Sequence, residues 1–300
     1  MPYHEIKMRD RKRYNYIVHT IRDDNKWKKV RKYIGEGHLS EEKIKKELQN
    51  FDKLLVKTNY LTEEQKDFIE IIRLRFFNYL KKGGKVISGK FNEWFFTELT
   101  YNSNAIEGST ANKRETSMII NDGVAPKNIS LREIYEAKNH KKALEYLLSY
   151  QGDINEWLIK RLHWVLMEDI DEKRGKYRKV PVFILGSDVE LPNHGDIPKL
   201  MKDLIVWYKQ NKNLHPLELA ALLSMKFVSV HPFTDGNGRV CRLLMNYILK
   251  KNNYPEINIY VKDRNNYLRA VRAANDGKYD QIIDFLVRTL KKNYGFLKNE

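Results

Sequence analysis

From residue 38 onward one pattern recurs: a side chain able to cap a helix, then apolar residues at three- and four-residue intervals. Ser40 precedes Ile44, Leu48, Phe51 and Leu55, the spacing of one buried helix face. Thr62-Glu63-Glu64-Gln65 and Ser130-Leu131-Arg132-Glu133 are capping boxes, which predict helices from 62 to Gly83-Gly84 and from 130 to about Tyr150. Residues 91–101 read as a further helix. Residues 153–156 open another, carrying Trp157, Leu158, Leu162 and Val165. Pro216 suits the first turn of a helix that leads through Ala220, Leu223 and Phe227 into His231. The pattern commits the chain to a mainly α fold with two β exceptions. Residues 14–21 and 27–34, around the turn residues Asp23-Asp24-Asn25, predict an N-terminal hairpin. Residues 180–184 and Val189-Glu190-Leu191, around Gly186-Ser187-Asp188, predict a second, short hairpin between helices.

Hydrophobic residues make up 42% of the 300 and aromatics 12%, including 18 Tyr and 5 Trp, which excludes a disordered chain and supplies a core. The 55 basic against 39 acidic residues leave a net charge of +16. Such a surplus attracts polyanions, nucleotides or an acidic partner, and is equally the mark of a solvated lysine-rich surface. The densest basic stretch, Arg9 to Lys32, interleaves tyrosines and Trp27. Either these rings stack on nucleic-acid bases, or the lysines guard a hairpin edge against self-pairing. A single cysteine, Cys241, excludes an internal disulfide and a Cys-rich zinc site. The first residues lack a signal-peptide layout, and no apolar run approaches the ~18 residues of a membrane span. A cytoplasmic protein with no membrane partner is expected.

The chemistry concentrates in His231-Pro232-Phe233-Thr234-Asp235-Gly236-Asn237-Gly238-Arg239-Val240-Cys241-Arg242. If one helix ends before His231 and another begins near Asn237, Gly236 and Gly238 allow a tight turn with exposed N–H groups, a concavity for anions. The second helix adds its positive N-terminal end. Arg239 and Arg242 project from neighbouring positions of that helix and suit phosphate oxygens. Asp235 is a hard oxygen ligand of the kind Mg²⁺ takes among phosphates. His231 is the side chain suited to accept a proton near neutral pH. Together they form a kit for phosphoryl or nucleotidyl transfer, in which positioning and charge neutralisation dominate.

The string resembles the Fic (Fido) signature at every defining position, and the similarity extends over roughly residues 90–290. The resemblance implies a helical-bundle core with a β-hairpin flap, spanning 89–293, behind an accessory region of residues 1–88. It implies a protein adenylyltransferase that moves AMP from Mg²⁺-bound ATP to a Ser, Thr or Tyr hydroxyl of a target protein. In that comparison His231 is the base and Asp235 the Mg²⁺ ligand. Gly236, Asn237 and Gly238 cradle the α- and β-phosphates, Arg239 meets the β-phosphate and Arg242 the γ-phosphate. Tyr267 and Asn275 resemble contacts to adenosine, although Leu268 departs from a tyrosine common at that position. Val189, Glu190 and Leu191 correspond to the flap that aligns a target by strand addition. A homodimer is compatible with the family.

Ser103-Asn104-Ala105-Ile106-Glu107-Gly108 resembles the family's inhibitory helix, in which Glu107 pairs with Arg242 in the space of the γ-phosphate. A pair at ~4 Å with an effective dielectric near 20 is worth up to ~4 kcal/mol before desolvation, enough for two to three orders of magnitude in ATP use. Removal of AMP and transfer of phosphate remain alternatives at the same site, as does a nucleic-acid-binding regulator working through the N-terminal hairpin. Gly84-Lys85-Val86-Ile87-Ser88-Gly89-Lys90 imitates a P-loop, but Phe91 stands where Ser or Thr must hold Mg²⁺.

Overall fold

Helix-start chemistry decides where most elements begin. The computed structural model describes residues 2–9, 11–23, 26–184 and 189–299, with the side chains of 21–23, 26–28, 30, 49–55 and 298–299 outside that description. Three strands come first, β1 (Tyr3–Arg9), β2 (Lys12–Asp23) and β3 (Lys26–Glu36). Ten helices follow among the described residues: α1 (Glu41–Leu55), α2 (Glu63–Ile106), α3 (Lys113–Ser117), α4 (Leu131–Ser149), α5 (Glu156–Leu166), α6 (Ile197–Gln210), α7 (Pro216–Val230), α8 (Asn237–Lys251), α9 (Arg264–Asn275) and α10 (Asp280–Asn293). None is long and apolar enough to cross a membrane.

Ser40 Oγ accepts from Lys43 N, and Thr62 with Gln65 and Ser130 with Glu133 close reciprocal capping boxes. A third capping box, Asn112 with Glu115, starts α3 and was not anticipated. Asn155, rather than Asp153, caps α5, accepting from Leu158 N at 2.8 Å. Asp153 instead takes the Tyr208 hydroxyl at 2.7 Å and two lysine ammonium groups. The two helices expected on either side of residue 84 are one helix, α2, kinked at Gly84 (φ 61°, ψ −161°). The P-loop-like stretch is therefore part of that helix, with no strand ahead of it.

The chain forms two compact units. The first, residues 1–58 with 213–215, holds an antiparallel sheet in the order β1-β2-β3 and α1. The expected hairpin is β2–β3, to which β1 adds a strand. Asn15, buried on β2, donates through Nδ2 to Gly35 O (3.1 Å) and Gly37 O (2.8 Å), fixing the chain where β3 ends. Ile44 and Leu48 of α1 are half-buried as the spacing predicted, while Phe51 and Leu55 lie outside the described side chains.

The second unit contains the remaining helices, with α7 and α8 at its centre. Both are buried on nearly every face, as a helix surrounded by others must be: Leu223 and Phe227 on α7 and Val240 and Leu244 on α8 are fully buried, and α8 also buries Arg239, Arg242 and Asn246. The flanks of the expected flap, residues 181–184 and 189–191, are irregular rather than paired strands, and Gly186-Ser187-Asp188 lie outside the described residues. Glu218, fully buried on α7, accepts from the backbone N–H groups of Asn59 (2.9 Å), Tyr60 (2.8 Å) and Leu61 (2.7 Å), which lead into α2. One carboxylate thus ties the start of α2 to α7. Glu218→Ala is expected to lower the unfolding free energy by about 2–4 kcal/mol, since it strands three donors. Chemical denaturation measures this, and a loss below ~1 kcal/mol would mean that water replaces the carboxylate.

Candidate active site

The loop between α7 and α8 is built by contacts that its own sequence specifies. His231 follows the last turn of α7 with φ 48°, an uncommon left-handed conformation for a residue bearing a Cβ. Phe233 then turns inward, fully buried, with its ring stacked on His163 at 3.8 Å and 4°. Asn237 staples the turn: its Oδ1 accepts from Phe233 N (3.0 Å) and its Nδ2 donates to Phe233 O (2.9 Å). Gly236 (φ 75°) provides the left-handed step into α8, whose N-terminus has no side-chain cap. That end presents backbone N–H donors and the positive end of the helix dipole.

His163 holds the loop from below. Gly175 N–H donates to its Nδ1 at 2.8 Å, so Nε2 carries the proton and donates to Asp235 O at 3.1 Å. Burial lowers its pKa to about 4, against the pull of Asp235 O and nearby carboxylates. Burial likewise lowers the pKa of His231, opposed by the Val228 carbonyl, so its imidazole is neutral near pH 7 and able to take a proton. Asp235 is ionised: burial raises its pKa, but Arg239, the Gly236 N–H and Arg132 prevail and lower it. Its Oδ2 accepts from Arg132 Nη2 at 2.6 Å, and its Oδ1 from Gly236 N at 2.5 Å and Arg239 Nη2 at 3.4 Å. Arg239 is almost fully buried and also meets Glu136 Oε1 at 3.2 Å.

Arg242, 3% exposed, is met by α2. Its Nε donates to Ser103 Oγ (3.0 Å) and its Nη2 to Ser103 O (2.9 Å) and Glu107 Oε1 (2.8 Å). Burial works against the guanidinium charge, yet Glu107 raises its pKa further. Gly238 lies directly beneath that carboxylate: a Cβ there would collide with Glu107 Oε1 and come within 3.2 Å of Arg242 Nη1. Glu107 ends α2, and beyond Gly108 the chain is held by Glu133, which accepts from Thr110 N (2.6 Å) and Thr110 Oγ1 (2.8 Å). Burial raises the Glu133 pKa, but donors from Ser130 and Thr110 outweigh it and bring it down to about 2.

His231, Asp235, Gly236, Gly238, Arg239, Arg242, Ser103 and Glu107 therefore converge. A 300 Å³ cavity opens beside them, lined by Glu107, Gly108, Arg132, Glu136, Asp235 and Arg239 among others. Asn237 contributes its backbone, since its side chain is engaged with Phe233. Tyr267 is a buried ring packed against Phe285. Asn275 is exposed and accepts from Ser229 Oγ at 2.5 Å. Glu190 is exposed, and Val189 and Leu191 are partly so. Arg178 escaped the sequence reading. It donates to His231 O (2.9 Å), Val180 O (3.2 Å) and Pro192 O (2.7 Å), clamping both ends of the flap segment to the His231 loop. No local pattern marks it, because its partners are backbone atoms 2 to 53 residues away. Arg132 escaped too, read only as an interior position of a capping box.

An uncapped helix N-terminus, a neutral histidine and two buried arginines at one glycine turn together offer the free N–H donors and fixed positive charge that suit an anion. Residues 153–249 match the Fic/DOC family. Over 259 residues the chain is 33% identical to a protein adenylyltransferase Fic of Nematostella vectensis, covering 82% of this chain and 58% of that protein. A Drosophila yakuba protein adenylyltransferase Fic is 33% identical over 198 residues, covering 64% of this chain and 40% of the relative. A Fic-domain signaling protein of Bacteroides thetaiotaomicron superposes with TM-score 0.70 at 26% identity, over 77% of this chain and 96% of that one. Fic-1 of C. elegans, at 24% identity and TM-score 0.68 over 79% and 71%, shares the fold. Residues 153–249 thus form a Fic/DOC-family domain, and the chain spans 58% of one of these curated relatives and 40% of the other.

Two of the buried histidines, His163 and His140, set a pH dependence of stability. His163 has a folded pKa of about 4 and His140, bonded to Thr100 Oγ1, about 3; burial is the main cause in both. The unfolded chain takes up these protons first, near pH 6.5, so stability is full above that value and declines as the pH falls. The His163 contribution levels off near pH 4. Urea midpoints between pH 7 and pH 4 should fall less steeply for His163→Gln than for the parent, by up to about 3 kcal/mol in total. Parallel curves would contradict the assignment.

Proposed function

We propose that this chain is a protein adenylyltransferase that moves AMP from Mg²⁺-bound ATP to a Ser, Thr or Tyr hydroxyl of a target protein, held in check by Glu107. In this reading residues 89–293 form the catalytic core, residues 1–88 are accessory, and the single buried Cys241 suits a reducing, cytoplasmic location. The observation that carries the reading is the Glu107 carboxylate lying between Arg242 and Gly238 at the α8 N-terminus, an anion in an anion site. The names of the relatives support the activity, and the coverage of their length makes it a proposal for this chain.

The chain's residues divide the work. Neutral His231 accepts the proton of the target hydroxyl. The oxygen so freed attacks the α-phosphorus, the bond to the β-phosphate oxygen breaks, and pyrophosphate leaves. The N–H groups at the start of α8, with Arg239 and Arg242, hold the phosphates and neutralise their charge. Asp235 fits a Mg²⁺ ion, being an ionised, partly exposed carboxylate that supplies one hard oxygen while phosphates and water supply the rest. Such an ion, when bound, neutralises phosphate charge. Arg132, which holds Asp235 Oδ2 at 2.6 Å, would share the carboxylate with such an ion. Phosphate transfer is disfavoured by the intact Gly236-Asn237-Gly238. Removal of AMP uses the same site and is separated by assaying AMP release from a modified target.

Because Glu107 is 41% exposed, solvent screens its attraction to Arg242 below the bound set by distance alone. Glu107→Gly should raise transfer of label from α-labelled ATP by about 10- to 100-fold, a gain of about 1.4–2.8 kcal/mol. His231→Ala in the same background should lower it by about 10²–10⁴ fold. If γ-labelled ATP marks the target instead, the reaction is phosphate transfer and the proposal fails.

Phe183, 94% exposed on the flap segment, is placed to meet a target chain. Phe183→Ala should raise the KM for the protein target several-fold and leave the affinity for ATP unchanged. Loss of ATP affinity would assign it a structural role instead.

A further inference from the structure

The pairing register of the first unit sorts its side chains onto two faces. Tyr3 opposes Val18, Glu5 opposes Tyr16, Lys7 opposes Tyr14 and Arg9 opposes Lys12. Across β2, Tyr16 opposes Tyr33, Val18 opposes Arg31 and Thr20 opposes Lys29. Directly opposed residues project to the same side of a sheet. One face therefore carries Tyr14, Tyr16 and Tyr33 along its middle, with Lys7, Arg9, Lys12, Lys29 and Arg31 around them. Contacts agree with that assignment. The Tyr33 ring lies 6.2 Å from Tyr14 and 5.6 Å from Tyr16, and Lys7 Nζ stands 5.9 Å above the Tyr16 ring. Arg31 pairs with Glu5 at 3.0 Å and Lys12 with Glu36 at 3.2 Å.

Among the described side chains, five cations on this face meet two carboxylates, Glu5 and Glu36, so the surplus is positive. The aromatic row is not sealed, since Tyr33 is 50% exposed. A face whose only purpose was to shield an edge needs charge, which lysine alone supplies. It does not need tyrosines along the middle, where Tyr14 and Tyr16 are half-buried beside a buried Val18 and Tyr33 is half exposed. Rings flanked by cations are what an unpaired nucleic-acid strand requires: π-faces for its bases and positive charge for its phosphates. An acidic protein would match the charge and leave the rings unused. Duplex DNA, whose bases are already stacked on one another, would do the same.

We infer that this face of the β1-β2-β3 sheet binds single-stranded nucleic acid, by base stacking on Tyr33 and its neighbours and phosphate contacts to Lys7, Arg9 and Lys29. The face belongs to the first unit and uses none of the residues assigned to transfer, so a binding readout stands whether or not the adenylyltransferase reading holds.

Fluorescence anisotropy on the full chain tests it, using end-labelled single-stranded DNA, single-stranded RNA of the same sequence, and the DNA duplex. At least one single strand is expected to bind at least ~5-fold tighter than the duplex. Affinity should fall with salt at a log–log slope of about −2 to −3, the signature of three or four phosphates neutralised. A preference between the two strands identifies RNA or DNA as the ligand. Lys7→Glu/Lys29→Glu should weaken binding by about tenfold or more, and Tyr33→Ala by about fivefold or more. Lys202→Glu/Lys209→Glu, the same charge change on exposed positions of α6, should have at most a small effect. Circular dichroism confirms that each variant is folded, and Tyr33→Leu provides a second probe if Tyr33→Ala is not. The inference is overturned if the duplex binds as tightly as the single strands. It is also overturned if the α6 variant loses as much affinity as the sheet variant, if folded Tyr33 variants bind like the parent, or if polyglutamate competes as well as an oligonucleotide of equal charge.

Discussion

A guanidinium that water cannot reach has to be satisfied by the protein or by a ligand. Arg242 is in that position, buried on α8 with its donors directed at Ser103 and Glu107 of α2. An uncompensated buried charge costs several kcal/mol, so the guanidinium constrains every element around it. It fixes where the end of α2 lies, and the α8 backbone brings the glycine turn beneath the same carboxylate. Arg264, donating from Nε to Ile106 O at 2.8 Å, and Glu133, holding Thr110, keep the segment on either side of Glu107 in place. In the function proposed above, brake and phosphate site are one arrangement with two alternative anions.

The loop that presents this site is rigid for local reasons. Asn237 and Phe233 close a ring of two hydrogen bonds, Phe233 is stacked in the core, and His163 spans from Gly175 N to Asp235 O. Arg178 adds the flap segment to the same assembly through carbonyl groups. Each of these hydrogen bonds engages a backbone polar group in buried or partly buried surroundings, where a lowered dielectric strengthens it. A histidine at positive φ, as His231 is, is held by such surroundings rather than by its own preference.

Much of this was legible in the sequence because it is local. The capping boxes at Thr62 and Ser130 and the proline at α7 each depend on residues within one turn, and they fall where expected. The glycine turn and the arginines after it are likewise contiguous in sequence. Contacts that depend on distant chain were not legible. Arg132 reaching Asp235, Arg178 reaching Pro192 and Glu218 reaching residues 59–61 carry no periodicity or spacing of their own. Strand β1 was missed because its apolar residues Ile6 and Met8 are exposed and its polar ones alternate weakly. Asn237 was read for its place in a phosphate loop, while its side chain serves the turn itself.

The central claim is that Glu107 and the terminal phosphate of ATP compete for Arg242. Isothermal titration calorimetry of ATP and ADP, in the presence of Mg²⁺, against the parent chain and Glu107→Gly tests this without requiring a target protein. ADP lacks the phosphate in dispute. The account predicts that Glu107→Gly tightens ATP binding by roughly tenfold or more while changing ADP binding far less. Equal changes for the two nucleotides, or none for either, would contradict it.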